Sequence, residues 1–217
     1  MRPYTIINCA MSADGKIALP DKKPLRISGD KDIERMYNLR NKSDGILVGI
    51  NTIINDNPKL TVKEKYVKKV SNPTRIVLDT KGRIPENSLV LNKTAKTFII
   101  TSKKCRDRTF GENIEIIKCS TDAYGKINLE ELTQLLYKKD IKKLMVEGGG
   151  TVIWNFLKQK LVDEIYTYIA PFVIGGKSSP TMSEDEGANN INDLINLKLK
   201  SVKKVDQGIL VHYVPQK

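Results

Sequence analysis

Three consecutive glycines, Gly148 to Gly150, restrict the fold of this chain more than any other stretch. The apolar residues 144–146 and then Glu147 precede them, and the mostly apolar residues 151–157 follow. Glycine permits a sharp turn and a close approach of a ligand to the backbone, and the free N–H groups at a helix start attract a phosphate. The pattern predicts a strand, a glycine turn and a helix with an anion site beside Glu147. A turn without a ligand is an equal alternative, because the GxGxxG spacing of dinucleotide sites is missing.

Strand and helix patterns alternate along the rest of the chain. Residues 45–49 are a continuous apolar run, typical of parallel strands covered on both faces. Residues 30–41 have apolar positions at helical spacing, and we expect Ser28 to cap that helix. Asn128 and Glu131 resemble a capping box. Further strands are predicted at 4–10, 74–79, 96–101, 114–117, 144–147 and 164–170. Further helices are predicted at 51–55, at 128–138 and from the glycine turn to about 160, and a hairpin at 198–205 and 209–214.

This order predicts an α/β protein with a mostly parallel mixed sheet flanked by helices and a C-terminal antiparallel hairpin. The length of 217 residues fits a single domain, residues 1–217.

The composition makes several classes of protein improbable. The formal net charge is +12, but the lysines are spread along the chain, so we expect a solvated surface that favours anionic ligands and no nucleic-acid partner. Cys9, Cys105 and Cys119 are far apart without a CxxC motif, which predicts free thiols and no metal site. We expect the single histidine, His212, to be structural. No apolar run approaches the ~20 residues of a membrane span, and no signal peptide is recognisable, so we expect a cytoplasmic protein.

Polar residues at the carboxyl ends of predicted strands are candidates for ligand binding, since open α/β sheets bind ligands there. Thr52 and Asp56 follow the strand at 45–49. Thr80, Lys81 and Arg83 follow the strand at 74–79, where the two cations suit a terminal phosphate such as the 2′-phosphate of NADP. The alternative for these two cations is a solvated turn.

Several segments in a fixed order resemble the riboflavin-biosynthesis reductases of the dihydrofolate reductase-like superfold. The resemblance is greatest to the archaeal and fungal type, which acts on 2,5-diamino-6-(ribosylamino)-4(3H)-pyrimidinone 5′-phosphate. The segments that carry it are MSADGKIA at 11–18, DGILVG at 44–49, Thr52 with DNPKLTV at 56–62, RIVLD at 75–79, EGGGT at 147–151, and LVDE at 161–164 with IAP at 169–171 and GG at 175–176.

The resemblance implies a homodimeric reductase that uses NADPH, with NADH as a tolerated substitute, and reduces the ribosyl side chain of a phosphorylated pyrimidine at C1′. By family pattern, the cofactor-binding residues are Thr52, Asp56, Asp79, Thr80, Lys81, Gly82, Gly148, Gly149, Gly150 and Thr151. The substrate-facing residues are Asp14, Arg26, Arg40, Leu60, Lys63 and Glu147. Charge suits Arg40 and Lys63 to the 5′-phosphate, although bacterial relatives have arginine in place of Lys63. Asp56 is the candidate catalytic residue, for a proton step or for fixing the cofactor; alone, it is equally well a turn carboxylate.

Three alternatives stay open. The bacterial type reduces the substrate after deamination; no HxE or PCxxC of a zinc deaminase is present here, so we expect reduction without deamination. A dihydrofolate reductase would use an acid on its first long helix, where this chain has Asp30, Asp32 and Glu34 but also Arg40, which favours a phosphate. Nucleic-acid binding, suggested by the charge, would show a steep salt dependence.

Overall fold

The computed structural model describes residues 1–21 and 25–216. Within them the strands, numbered β1 to β9 in chain order, are Tyr4–Ser12, Gly45–Gly49, Thr74–Leu78, Thr97–Ser102, Ile114–Cys119, Lys143–Gly148, Glu164–Ala170, Leu197–Val205 and Gly208–Pro215. The helices, α1 to α4, are Asp30–Asn41, Ile50–Asp56, Leu129–Lys138 and Gly150–Lys158. Short 3₁₀ turns span Glu64–Tyr66, Leu89–Leu91 and Ile191–Asp193. The predicted elements are confirmed, with small shifts at their ends.

The chain divides into two compact units, the first of which comprises residues 1–4 and 37–145. In this unit β2, β3, β4 and β5 pair in parallel, each with the next. All five positions of β2 are buried, as its uninterrupted apolar sequence predicts. Because these strands run in parallel, their carboxyl ends lie at one edge, where the predicted ligand-binding residues follow them.

A buried arginine ties β3 to β4 in the first unit. The Arg75 side chain has no exposed surface and donates hydrogen bonds to Thr97 Oγ1 and Asn92 Oδ1, each 2.9 Å long. Burial lowers the pKa of Arg75 to about 10. This arginine therefore has a structural task, because its donors are satisfied by neutral oxygens inside the unit.

The start of α3 differs in one detail from the predicted capping box. Asn128 caps the helix by accepting from the N–H of Glu131 at 3.0 Å. The carboxylate of Glu131 accepts instead from the N–H of Ser120 at 2.8 Å and from its hydroxyl. The reciprocal half of the box is thus replaced by a contact to the end of β5.

The second unit comprises residues 5–36 and 146–217. Here β1 and β7 pair in parallel, while β9 pairs antiparallel with β7 and with β8. The predicted C-terminal hairpin is confirmed, and a register shift between Leu199 and Ser201 interrupts the β8–β9 pairing. Parallel pairs in both units, together with these antiparallel strands, confirm the predicted α/β class with a mostly parallel mixed sheet. That residues 1–217 act as one reductase domain stays a prediction.

The predicted cap of α1 was wrong. Asp206, in the turn between β8 and β9, accepts hydrogen bonds from the N–H groups of Lys31 and Asp32 at 3.0 and 3.1 Å. The hydroxyl of Ser28 donates to the Asp32 carboxylate instead. A carboxylate distant in sequence therefore satisfies the helix start.

Across residues 1–21 and 25–216, no helix is both long and apolar enough to cross a membrane.

Candidate functional site

A cleft rich in cations opens at the carboxyl ends of β3, β4 and β5 in the first unit. It has a volume of about 850 Å³ and is lined by residues 80–82 after β3, by 102 and 104–108 at and after the end of β4, and by 121 and 125 after β5. We call it the basic cleft. It contains the predicted cofactor residues Thr80, Lys81 and Gly82. Arg83, the second cation predicted there, is not part of the lining and donates to Asn51 Oδ1 at 3.3 Å.

Three cations of the basic cleft are available for a ligand. The exposed side chains of Lys81, Lys104 and Arg106 have no hydrogen-bond or ion-pair partner within the described residues. Asp107, also in the lining, pairs with Lys118 at 2.9 Å. The cleft therefore attracts anions. Sequence reasoning missed Lys104 and Arg106, although the run KKCRDR directly after β4 is a signal that could have found them.

Arg108 and Asp79 shape the wall of the basic cleft. Arg108 Nη1 donates to the carbonyls of Gly82 and Ile84 at 3.0 and 2.8 Å. Asp79 has no exposed surface, and its Oδ2 accepts from the N–H of Ile84 at 2.7 Å. Gly82 has φ +68°, and a Cβ there would lie 2.8 Å from Cys105 Sγ. Asp79 and Gly82 therefore form the turn that presents Lys81; their contact with the cofactor stays a prediction.

Thr52 and Asp56 lie on α2, which begins directly after β2. Thr52 is half-buried in the first turn, and Asp56 is the last residue of the helix. Asn57 follows in the left-handed conformation and bonds back to the carbonyl of Ile53. Desolvation raises the pKa of the Asp56 carboxyl above its ordinary value of 3.8. Asp56 therefore keeps its proton to a higher pH than a free aspartate, which suits a proton step.

The first unit brings together the two cations predicted to bind the substrate phosphate. The Arg40 guanidinium carbon and Lys63 Nζ lie 5.3 and 5.5 Å from the ring centroid of Tyr37. Arg40 Nη1 also donates to the carbonyl of Thr61 at 3.2 Å. Two cations near one ring suit a doubly charged phosphate.

Leu60, also predicted to face the substrate, has an unusual backbone. It is 2% exposed and has φ +49°, the left-handed region that a bulky side chain rarely adopts. Such a conformation costs about 1–3 kcal/mol, and residues that adopt it cluster at functional sites. The strained backbone is consistent with a functional role for this loop. The contact of Leu60 with the substrate stays a prediction.

The glycine run of the second unit has the predicted strand–turn–helix geometry. Gly148 ends β6 with φ +131°, Gly149 is the N-terminal cap of α4, and Gly150 is its first residue. No side chain within the described residues caps α4, so its first N–H groups can meet an anion. Thr151 is exposed in the same turn, and Glu147 is half-buried just before it. The run thus fits the predicted anion site.

Gly150 lies so close to residues 181–184 that an added methyl group would collide with them. A Cβ at Gly150 would lie 2.8 Å from the carbonyl oxygen of Thr181 and 2.7 Å from Glu184 Cγ. Helix propensity alone favours alanine over glycine by about 0.5–1 kcal/mol. We expect Gly150→Ala nevertheless to lower the free energy of unfolding by about 1–3 kcal/mol, as measured by denaturant titration. Gly111→Ala, whose Cβ would have its nearest contact at 3.6 Å, is the control; equal effects would contradict the contact.

Asp14 and Arg26, two predicted substrate residues, have partners inside the second unit. The Asp14 carboxylate accepts from the Ser12 hydroxyl and from the N–H groups of Ile174 and Gly175, the latter at 3.1 and 2.7 Å. The exposed Arg26 pairs with Asp30, an interaction worth at most ~1 kcal/mol at a surface. Asp14 therefore ties two loops together, whereas Arg26 could exchange its partner for a phosphate at little cost.

The hydrogen bonds to Asp14 predict a pH-dependent stability. The Ser12 hydroxyl and then the Ile174 N–H hold the pKa of Asp14 at about 2, below its ordinary value of 3.8. Since the folded-state pKa is the lower one, this stabilisation is complete above the ordinary value and is lost as the pH falls towards 2. We expect Asp14→Asn to be less stable than wild type at pH ~7 and the difference to shrink below pH ~4, as measured by urea unfolding. A difference independent of pH would contradict this.

The acidic residues at the start of α1 are already paired. Asp32 is 2% exposed, lies 2.7 Å from Arg35 Nη2, and accepts from the Ser28 hydroxyl. Asp30 pairs with Arg26. The acid that would hold a pteridine on the first helix is thus occupied, which weakens the dihydrofolate reductase alternative.

Burial first and then the charges of Asp32 and Glu147 raise the pKa of Cys9 to about 12, so this thiol stays neutral.

Cys9, Cys105 and Cys119 are free thiols, as predicted. In the described part of the chain, no cluster of three or more His, Cys, Asp or Glu side chains could hold a metal ion.

Comparison with known proteins identifies the family. The 2,5-diamino-6-ribosylamino-4(3H)-pyrimidinone 5′-phosphate reductase of Archaeoglobus fulgidus is 37% identical over 218 residues, covering 97% of each chain. The crystal structure of a Thermotoga maritima diaminohydroxyphosphoribosylaminopyrimidine deaminase/5-amino-6-(5-phosphoribosylamino)uracil reductase has a TM-score of 0.82 and 26% identity, over 99% of this chain and 57% of that one. A dihydrofolate reductase from Enterococcus faecalis has the same fold, with a TM-score of 0.52 and 13% identity over 99% of this chain and 97% of that one.

The dihydrofolate reductase-like fold and the predicted resemblance are therefore confirmed. The family profile described as the RibD C-terminal domain matches residues 3–211, which is nearly the whole chain. The chain belongs to the RibD C-terminal domain family.

Proposed function

We propose that this protein reduces the ribosyl side chain of 2,5-diamino-6-(ribosylamino)-4(3H)-pyrimidinone 5′-phosphate to the ribityl chain, with NADPH as the reductant. The observation that carries the proposal is 37% identity to the A. fulgidus reductase across 97% of both chains. The pairing of Arg40 and Lys63 at one ring supports a phosphorylated substrate. The pathway step requires no membrane, and we propose a cytoplasmic location.

The basic cleft supports NADPH over NADH. The side chains of Lys81, Lys104 and Arg106 have no hydrogen-bond or ion-pair partners within the part of the chain that the structure describes, and NADPH differs from NADH by one additional phosphate. These three cations would hold the 2′-phosphate. The glycine turn from Gly148 to Gly150, with Thr151, would offer backbone N–H groups to the cofactor. The bound cofactor supplies the hydride for C1′, and the protein supplies binding, orientation and exclusion of water.

On the substrate side, each proposed residue has a task that its chemistry suits. Arg40 and Lys63 neutralise the 5′-phosphate, and Glu147 accepts hydrogen bonds from the pyrimidine amino groups. Reduction of the ring-opened imine adds a hydride to C1′ and a proton to the attached nitrogen. Asp56 is the proposed source of that proton, because desolvation raises the pKa of its carboxyl.

We propose a homodimer that forms through the C-terminal hairpin. Leu199 and Val202 on β8 are 53% and 52% exposed, and β8 pairs only with β9 within the described residues. Exposed apolar side chains on an edge strand are typical of an interface. Light scattering of the wild type and of Leu199→Lys tests the dimer. A wild-type monomer, or a variant that stays dimeric, would contradict this surface.

The test of the function follows loss of the reduced-nicotinamide absorbance with two substrates. The protein is given the undeaminated pyrimidinone 5′-phosphate and, separately, its deaminated form; dihydrofolate is the control. We expect turnover with the undeaminated compound. Turnover of the deaminated compound alone would support the bacterial type of reductase, and comparable turnover of dihydrofolate would contradict the proposed substrate.

A further inference from the structure

Two tyrosines next to the phosphate cations stack on each other. The rings of Tyr37, on α1, and Tyr66, at the end of the Glu64–Tyr66 turn, have centroids 4.8 Å apart and planes 10° apart. Tyr37 is 8% exposed, and Tyr66 is half-buried. The proposed function assigns no task to either ring.

The stack adjoins several cations. Arg40 and Lys63 lie 5.3 and 5.5 Å from the centroid of Tyr37, and Lys65 Nζ lies 4.6 Å from that of Tyr66. Like charges repel one another, and a long lysine side chain is costly to order. The negative face of an aromatic ring attracts cations at these distances, so the rings oppose both effects.

Hydrogen bonds connect the tyrosine stack to the backbone of Lys63. The N–H of Tyr66 donates to the Lys63 carbonyl at 3.1 Å, which closes the 3₁₀ turn. Asn38 Nδ2, one residue after Tyr37, donates to the Tyr66 carbonyl at 3.3 Å. With the bond from Arg40 to the Thr61 carbonyl, α1 thus holds the loop on both sides of Lys63.

We propose that the Tyr37–Tyr66 stack is a positioning element that presents Arg40 and Lys63, pre-ordered, to the substrate phosphate. The inference rests on the proposed function in one respect, the assignment of those two cations to the phosphate. In this proposal the stack acts through Arg40 and Lys63 and not on the reacting atoms. It lowers the cost of ordering the cations when the phosphate arrives, so it contributes to affinity and not to the chemical step.

The kinetic test compares Tyr66→Leu with Tyr66→Phe, which keeps the ring and removes only the hydroxyl. We expect Tyr66→Leu to raise the KM for the phosphorylated pyrimidine about tenfold with kcat within about twofold, and Tyr66→Phe to match wild type. A purely structural role would lower kcat or affect both variants alike. An unchanged KM in Tyr66→Leu would overturn the proposal. If that variant does not fold, as judged by circular dichroism, Tyr66→Met replaces it with a larger apolar side chain that also lacks the ring.

A binding test separates this inference from the proposed function. Calorimetric titration with ribose 5-phosphate needs no turnover. We expect wild type and Tyr66→Phe to bind it and Tyr66→Leu to bind about tenfold more weakly. If the pyrimidine is not reduced but this difference appears, the proposed function fails and the positioning role stands. Equal binding by wild type and Tyr66→Leu, or no binding by wild type, would overturn the inference.

Discussion

Replacing Lys104 and Arg106 together by glutamine is expected to raise the KM for NADPH about 100-fold and to change the KM for NADH by less than about threefold. Hydrogen bonds between charged groups contribute about 1.5–3 kcal/mol each, so the loss of two corresponds to about two orders of magnitude or more in affinity. Both side chains line the basic cleft without partners among the described residues. Initial rates with each reduced nicotinamide measure the effect.

The control removes the same charge elsewhere on the first unit. Lys93 and Lys138 are exposed and do not line the basic cleft. The double variant Lys93→Gln/Lys138→Gln should leave both KM values close to wild type, because a general reduction of positive charge is screened by salt. If the two double variants weaken NADPH equally, or if Lys104→Gln/Arg106→Gln weakens NADPH and NADH alike, the cleft does not bind the 2′-phosphate.

The sequence predicted the elements and the general location of the cleft because both depend on local patterns. The apolar run of β2 and the helical spacing in α1 are visible within a short window, and the order of strands and helices then limits the topology. Thr80 and Lys81, which line the cleft, were singled out because ligand sites follow strand ends in such folds; their contact with the cofactor stays a prediction.

The features that sequence reasoning missed depend on partners distant along the chain. Asp206 caps α1 from the β8–β9 turn, and no local rule distinguishes it from Ser28, which stands where caps usually stand. Tyr37 has the spacing of a core residue, and only the folded loop brings Tyr66 against it. The basic run after β4 is visible locally, but only the parallel pairing of β3 and β4 places Lys104 and Arg106 in one cleft with Lys81.

Removing both proposed phosphate cations should weaken binding of the substrate strongly. We expect Arg40→Ala/Lys63→Ala to raise the KM for the phosphorylated pyrimidine about 100-fold while kcat falls by less than about threefold. The phosphate lies away from the reacting C1′ and carries the same charge in the ground and transition states, so its contacts stabilise both equally. Steady-state kinetics over a wide range of substrate concentration measure this.

Two comparisons decide whether the phosphate is the group concerned. Lys65→Ala removes a neighbouring cation, over the ring of Tyr66, that has no assigned contact with the phosphate, and its KM should stay within about threefold of wild type. The dephosphorylated substrate should be turned over equally poorly by wild type and by Arg40→Ala/Lys63→Ala. The variant lacks only the contacts with the phosphate, and this compound has no phosphate to contact. If the double variant loses kcat instead, or is impaired further with the dephosphorylated compound, Arg40 and Lys63 act on another part of the substrate. The loop at Leu60 would then be the candidate for the contact with that part of the substrate, since a φ of +49° in a buried leucine persists only where its surroundings enforce it.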